Sequence, residues 1–402
     1  MMLIRLAAAF LVRRWGQALP ALIAGALGIA AVETVMIVER ALPDAAERAF
    51  GGVDLVIGPK GSALDLVLCC ALQISEPRGL IPLEAARALV ATPAIRVAAP
   101  IALGDNLHGR RIVGTTLDLL SVYRARFAAG GPWSAPMQAI AGAEAARALG
   151  LTVGASFVGA HGLGEGGEEH TEFPYRLTGI LAPTGSSLDR VLLTSIESVW
   201  TIHHHHEAEE AAERGAPAPA EVPPAATAML AAVRSPVALV ALPRQIDATE
   251  RFSAAVPAFE MARLARAARP VITTVLAIGL LFAALAAATA ATALAGTVSA
   301  RVRDLALLRA LGAHPWELAA VAMIESVVLA GGALILGLGL VLVLAPIGAA
   351  LLAERDGLLL DVVPAGDDLV WLVGGALTVC ILVAMIPSVR AARASIEKVL
   401  TS

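Results

Sequence analysis

The 402-residue chain is 57% hydrophobic and 16% charged, whereas an average soluble domain has about 25% charged residues. This composition excludes an ordinary soluble domain and indicates a membrane protein. The net charge of -4 leaves no basic stripe, which argues against nucleic acid as a partner.

Four apolar stretches are long enough to cross a bilayer, which takes roughly 20 residues in a helix. They predict transmembrane helices over residues 19–38, 268–297, 316–352 and 368–388. The third exceeds one straight crossing, and its glycines and Pro346 offer places to bend or end. The first is too long for a typical signal-peptide core and lacks a clear cleavage site, so we expect it to be retained.

Basic residues set the predicted orientation, because cytoplasmic segments carry the excess of positive charge. The basic segments are residues 1–18, 298–315 and 389–402. All three fall on one side, while the outer loop 353–367 is acidic. Arg263, Arg266 and Arg269 are exceptions to this rule, because they precede the second span on the predicted outer side. We expect them to snorkel toward lipid phosphates. The prediction is a multi-pass membrane protein with both termini cytoplasmic.

Residues 39–267 then form one extracytoplasmic (periplasmic) domain, long enough to bury its own core. Residues 82–93 have helical spacing, and 246–270 are predicted to be helical and to continue into the second span. Strands are predicted within 53–61, 95–104 and 110–116. The pattern predicts an α+β domain carried on a membrane stalk at each end.

The sequence offers no sign of an enzyme. It holds no phosphate-binding loop, no H-E-x-x-H and no G-x-S-x-G. We therefore expect no catalytic residue and no cofactor tightly held by this chain. Adjacent Cys69 and Cys70 can pair only as a strained vicinal disulfide, so two buried thiols are favoured.

Residues 203–224 join four consecutive histidines to a glutamate run and a Pro/Ala tract. The histidines are His203, His204, His205 and His206. Low complexity predicts a solvated, mobile loop. The alternative is binding of Zn²⁺ or Cu²⁺ by the imidazoles, although a flexible run lacks the fixed ligands of a closed site. His108, His161 and His170 are isolated, and we expect ordinary turn or surface histidines there.

Residues 298–315 predict a short amphipathic helix on the cytoplasmic face. Its apolar residues recur every three positions, at Val302, Leu305, Leu308 and Leu311. Gly312 suits its C-terminus, and Pro315 prevents its continuation. The plain alternative is a basic loop that anchors topology; a helix between two spans can also be the surface that another protein grips.

The stretch "RVRDLALLRALGAHPWEL…ESVVLAGG" resembles the hallmark segment of the FtsX/MacB/LolE-type ABC transporter permeases. The matching positions are Arg301, Leu305, Leu308, Arg309, Ala310, Gly312, Glu325 and Ser326, while Asp304 stands where Glu is more usual. The closing "IPSVRAARASIEKVL" also resembles the family, with Ile396 where Pro is common. Together with one span, a large outside domain and three further spans, the resemblance covers nearly the whole chain.

The resemblance implies a protein of a bacterial inner membrane, with four transmembrane α-helices and one large α+β, MacB-like periplasmic core domain. It also implies a permease subunit without a fused ATPase, since MacB-like chains carry the ATPase before the first span. A separate ABC subunit would bind ATP and Mg²⁺, and a second permease copy, identical or related, would complete the complex. Residues 298–315 would rest in a groove of that ATPase, and hydrolysis would move the stalks and outer domain by mechanotransmission. The coupling residues would be Arg301, Arg303, Asp304, Leu305, Leu308, Arg309, Gly312 and His314.

Three functions remain open on this basis. The first is movement or extraction of a hydrophobic or envelope substrate, as in lipoprotein release or MacB-like efflux, with a periplasmic or lipoprotein partner and membrane lipids. The second is an FtsX-like signalling scaffold that controls a periplasmic partner, and the third, based on the histidines alone, is a metal-linked permease. The large outer domain favours the first, because FtsX proper tends to have a smaller one.

Two carboxylates fall inside apolar spans, and an intramembrane carboxylate is a candidate functional residue. Glu33 lies near the outer end of the first span, so we expect it to reach the interface. Glu325 lies deeper in the third span, and we expect it to form a hydrogen bond between helices.

Overall fold

The computed structural model describes residues 15–162, 167, 169–214, 223–300, 315–356 and 360–393. The predicted coupling residues lie within 301–314 and are therefore outside the described residues, as are the ends 1–14 and 394–402. The chain divides into two compact units. The helical unit comprises Met1–Leu42, Ala267–Leu351 and Leu360–Ser402, and the sheet unit comprises Pro43–Arg266 and Leu352–Leu359.

The helices follow one another along the chain as α1 (Trp15–Phe50), α2 (Ala63–Leu66), α3 (Leu83–Val90), α4 (Asp118–Val122), α5 (Ala143–Leu149), α6 (Ile196–Glu213), α7 (Ala238–Asp247), α8 (Pro257–Ala300), α9 (Pro315–Asp356) and α10 (Gly366–Arg393). The strands are β1 (Leu55–Pro59), β2 (Ile81–Pro82), β3 (Ile95–Leu107), β4 (Arg110–Thr115), β5 (Phe127–Gly130), β6 (Gln138–Ala141), β7 (Ser156–Phe157), β8 (Ala160–His161), β9 (Tyr175–Leu181), β10 (Leu192–Ser195), β11 (Ala225–Ala226), β12 (Ala228–Val233) and β13 (Phe252–Ala255).

Long apolar helices dominate the helical unit. Among the described residues, three segments are long and apolar enough to cross a membrane: Leu19–Phe50, Pro257–Thr292 and Met323–Ala353. They lie in α1, α8 and α9 and overlap the first three predicted spans. The fourth predicted span lies in α10, which forms a helix but is not among these three segments.

The sheet unit is built on a large mixed sheet. Within the described residues it has eleven strands, in the order β13-β1-β12-β3-β4-β10-β6-β9-β5, with β7 on β9 and β8 on β3. Its side chains alternate between the two faces, as the two-residue period of a strand requires. Val56 enters one core cluster, whereas its neighbours Leu55 and Ile57 enter another.

Most predicted elements of the sheet unit are present. Strands β1, β3 and β4 and helix α3 occupy their predicted segments. The helix predicted over 246–270 is wrong in its first part, because β13 interrupts it and pairs with β1. The Asp247 carboxylate accepts a hydrogen bond from the Ala254 amide at 2.9 Å and holds this turn. From Pro257 onward the predicted continuous helix forms as α8. Cys69 and Cys70 are buried free thiols, as expected.

The histidine run corrects a second prediction. Residues 203–213 are not a loop, because they form most of α6. The helix continues directly from the buried strand β10, and Ile196, Val199 and Ile202 at its start are buried. Packing of these apolar residues starts the helix, which then continues through the low-complexity residues that follow. Residues 215–222 of the predicted loop are outside the described residues.

Candidate metal centre and buried polar groups

Asp105 occupies an irregular point of β3. The register between β3 and β4 shifts between Leu103 and Asp105, so Gly104 is the extra residue of a β-bulge. The Asp105 side chain is completely buried, and neither of its carboxylate oxygens accepts a hydrogen bond from any described residue. A buried carboxylate in this state costs several kcal/mol unless a cation compensates it.

Strand β8 places a histidine directly opposite this carboxylate. Asp105 and His161 are cross-strand partners, with 3.8 Å between Oδ1 and Nδ1. The Asn106 amide donates hydrogen bonds to the Ala160 carbonyl at 3.3 Å and the Gly162 carbonyl at 3.1 Å. Asn106 therefore clamps both sides of His161 and fixes its backbone next to Asp105.

Helix α6 brings two further histidines to the same place. His203 and His206 are three residues apart and share one face of the helix. The His161 ring centroid lies 5.4 Å from that of His203 and 5.2 Å from that of His206. His204 is exposed, and His205 contacts Glu172 instead, with 3.5 Å between Nε2 and Oε2.

Gly104 makes room for His203. A Cβ atom added to Gly104 would lie 2.2 Å from Nε2 and 2.6 Å from Cε1 of His203. Real Cβ atoms do not approach other atoms so closely, so the imidazole occupies the space that any other side chain at position 104 would fill. The bulge thus serves both the burial of Asp105 and the approach of His203.

His170 approaches the carboxylate from a third segment. Its Nε2 lies 3.4 Å from Asp105 Oδ1, and its backbone amide donates to the Gly159 carbonyl at 2.9 Å. Its ring centroid is 6.0 Å from that of His206. Among these groups, one ligand atom from each of Asp105, His161 and His203 lies within 4.8 Å of the other two.

The sequence prediction therefore identified part of this cluster. Of the four histidines in the run, the structure brings His203 and His206 to it and leaves His204 in solvent. His161 and His170, expected to be ordinary surface residues, belong to it. Asp105 was missed because it lies just beyond the predicted strand 95–104, whereas β3 continues to Leu107; the glycine before it is a signal that can mark a bulge.

The two carboxylates of the predicted spans belong to the helical unit, whereas this cluster belongs to the sheet unit. Glu33 is fully buried, and neither of its carboxylate oxygens has a hydrogen bond among the described residues; that it reaches the interface stays a prediction. Glu325 is also buried in the helical unit.

The helical unit contains an apolar cavity of about 310 Å³ between α1, α8, α9 and α10. Gly25, Gly28, several alanines and Trp371 line it, and Ser326 supplies a hydroxyl. Such a lining suits an apolar group and offers little to a charged one.

The chain was compared with protein families, curated proteins and solved structures. None of the curated proteins matches the chain. A crystal structure of the periplasmic region of MacB from Actinobacillus actinomycetemcomitans is 12% identical, with a TM-score of 0.34, over 54% of this chain and 94% of that one. The extracellular domain of the noncanonic ABC-type transporter YknZ from Gram-positive bacteria is 10% identical, with a TM-score of 0.28, over 44% and 89%. These scores are too low to support an argument about function. Residues 276–396 match the family model of the FtsX-like permease C-terminal domain, and this range contains the stretch "RVRDLALLRALG" that resembles the same family.

Proposed function

We propose that the chain is the permease subunit of an ABC transporter that works by mechanotransmission with a separate ATP-binding subunit. Its substrate would be a hydrophobic or envelope molecule, as in lipoprotein release or MacB-like efflux. The observation that carries the proposal is the family match over residues 276–396, which includes the end of α8, the coupling segment 298–315, α9 and α10.

The proposed topology has four spans, with α10 as the fourth and the sheet unit outside the inner membrane. One contact within the helical unit supports it. Arg40 lies in α1 beyond the first predicted span. It forms an ion pair with Asp368 at the start of α10, with 2.5 Å between Nη1 of Arg40 and Oδ2 of Asp368. Arg40 also donates to the Val363 carbonyl at 2.6 Å. The outer end of α1 thus meets the beginning of α10, as it must if α10 enters the membrane from outside and both termini are cytoplasmic.

Energy would come from the partner, which would bind ATP and Mg²⁺. The amphipathic pattern of 298–315 would seat the leucines against a groove of the ATPase, with its arginines at the rim. Two permease copies would pair, and movement of α1 and α8 would be transmitted to the sheet unit because both helices run from one unit into the other. The apolar cavity of about 310 Å³ supports a hydrophobic substrate.

The variant Arg309→Glu distinguishes the proposed transport function from an FtsX-like signalling function. The reversed charge at the coupling surface is expected to cost several kcal/mol of ATPase binding and to lower substrate release more than about tenfold. The measurement is envelope fractionation of cells in which the variant is the sole copy, with retained lipoproteins or amphiphiles quantified in the inner membrane.

Arg251→Glu is the matched control, because Arg251 is an exposed arginine of the sheet unit between α7 and β13, outside the coupling segment. It is expected to behave as the wild type. Unchanged release in Arg309→Glu, together with lost cleavage of the periplasmic cell wall, would contradict the transport proposal and favour the FtsX-like scaffold.

A further inference from the structure

We propose that the sheet unit binds one Zn²⁺ ion through Asp105, His161 and His203, with His206 or His170 as the fourth ligand. This site goes beyond the proposed transport function and does not depend on it. The ligands come from β3, β8 and α6, so an ion held there would join the bulged strand to the helix that carries the histidine run.

The spacing of the ligand atoms fits a small cation after a modest closure. The three atoms lie within 4.8 Å of one another. Tetrahedral zinc with bonds of about 2.0–2.2 Å holds its ligand atoms about 3.4 Å apart. Small rotations of the imidazoles about their side-chain bonds bring the ligands to that distance, and His161 and His203 are only partly buried, which leaves them room to rotate.

The buried carboxylate is the second observation that points to a cation. Asp105 is completely buried and accepts no hydrogen bond from the described residues. An ion pair with a protonated histidine is the simpler way to compensate its charge, with His170 nearest at 3.4 Å. A metal ion compensates the same charge and also explains why several imidazoles converge on one carboxylate.

Hydrogen bonds around the proposed ligands make the site more rigid than a loop of histidines would be. Asn106 fixes the backbone on both sides of His161, and the Gly162 amide donates to the Gly104 carbonyl at 2.7 Å. Gly104 leaves the space that His203 occupies. Oriented ligands of this kind raise metal affinity, and loss of such support typically costs 10–100-fold.

The ligand types select the ion. Calcium and magnesium prefer shells of oxygen atoms, whereas imidazoles with one carboxylate suit zinc and its first-row neighbours. Copper(II) is expected to bind at the same residues, because it has the same ligand preference with higher affinity.

The test is calorimetric titration of ZnCl₂ into the full-length protein, purified in detergent with a tag that contains no histidine. One ion per chain is expected to bind the wild type. Asp105→Asn and His203→Ala are each expected to weaken binding about 100-fold or more, because each removes a direct ligand.

His204→Ala is the matched control, since it removes a histidine of the same run that lies outside the cluster. It is expected to retain the wild-type affinity. Equal losses in His204→Ala and His203→Ala would show adventitious binding by the run, and wild-type affinity in Asp105→Asn would show an ion pair alone; either result overturns the proposal.

Gly104→Ala provides a test that keeps every ligand. Its φ lies outside the left-handed region, so alanine is compatible with its backbone, but the new methyl group takes the place of the His203 imidazole. Zinc affinity is expected to fall at least about tenfold, and Co²⁺ is expected to lose the intense visible bands of a tetrahedral site. Unchanged affinity and spectrum in Gly104→Ala would contradict the role of His203 as a ligand.

Discussion

Gly28→Val is expected to disrupt the packing of the helical unit. A Cβ atom at Gly28 would lie 2.9 Å from both the Ala283 amide nitrogen and the Gly279 carbonyl oxygen, so α1 and α8 are in backbone contact there. Small residues allow such an approach in membrane helices, where close packing is a main source of association. Backbone cannot yield as a flexible side chain does, so we expect a loss of about 3 kcal/mol or more. The measurement is thermal unfolding of the purified protein in detergent.

Gly331→Val is the control, because Gly331 is also a helical glycine of a predicted span and has no atom within 4 Å of an added Cβ. The helix-propensity cost is the same in both variants. The difference between their unfolding temperatures therefore reports only the close backbone contact between α1 and α8. Similar unfolding temperatures for the two variants would show that α1 and α8 are not packed in this way.

Asp189→Ala is expected to open the turn between β9 and β10. The buried Asp189 carboxylate accepts hydrogen bonds from the Thr184 amide at 2.9 and 3.0 Å, the Gly185 amide at 2.8 Å and the Thr184 hydroxyl at 2.8 Å. Alanine removes a charged acceptor and leaves two amides without it, which costs about 3 kcal/mol. Hydrogen exchange measured by mass spectrometry is expected to show faster exchange across residues 182–191.

Asp118→Ala is the matched control for this turn. Asp118 is exposed and accepts a hydrogen bond from the Thr116 hydroxyl at 3.2 Å. Loss of this hydrogen bond is expected to change the free energy of unfolding by no more than about 0.5 kcal/mol. Slow exchange across 182–191 in Asp189→Ala would contradict the assigned role of this carboxylate.

The elements that the sequence predicted correctly are those whose pattern is local. Gly58 and Pro59 at the end of β1, the proline before α3 and the turn between β3 and β4 each mark a boundary within a few residues of the element itself. The first three apolar spans are equally local, because length and composition alone define them. The FtsX-like motif was found for the same reason, since its residues are contiguous in the chain.

The errors arose where distant residues decide the structure. Strand β13 forms inside a segment with helical composition because β1, almost 200 residues earlier, offers it a partner. Helix α6 forms because its first turn is buried beneath strands that precede it. The cluster around Asp105 also depends on distant residues, since a bulge in β3 and the pairing of β8 bring Asp105 and His161 to α6.

Co-purification from native membranes tests most directly the proposal that this chain is a permease subunit working with a separate ATPase. Mass spectrometry of the complex is expected to find an ABC ATP-binding subunit in amounts about equal to those of the permease. Leu305→Asp places a charge on the apolar face of the coupling segment and is expected to remove that subunit, with a loss of affinity of several kcal/mol. Purification without any ATP-binding subunit, and full function in Leu305→Asp, would contradict the account.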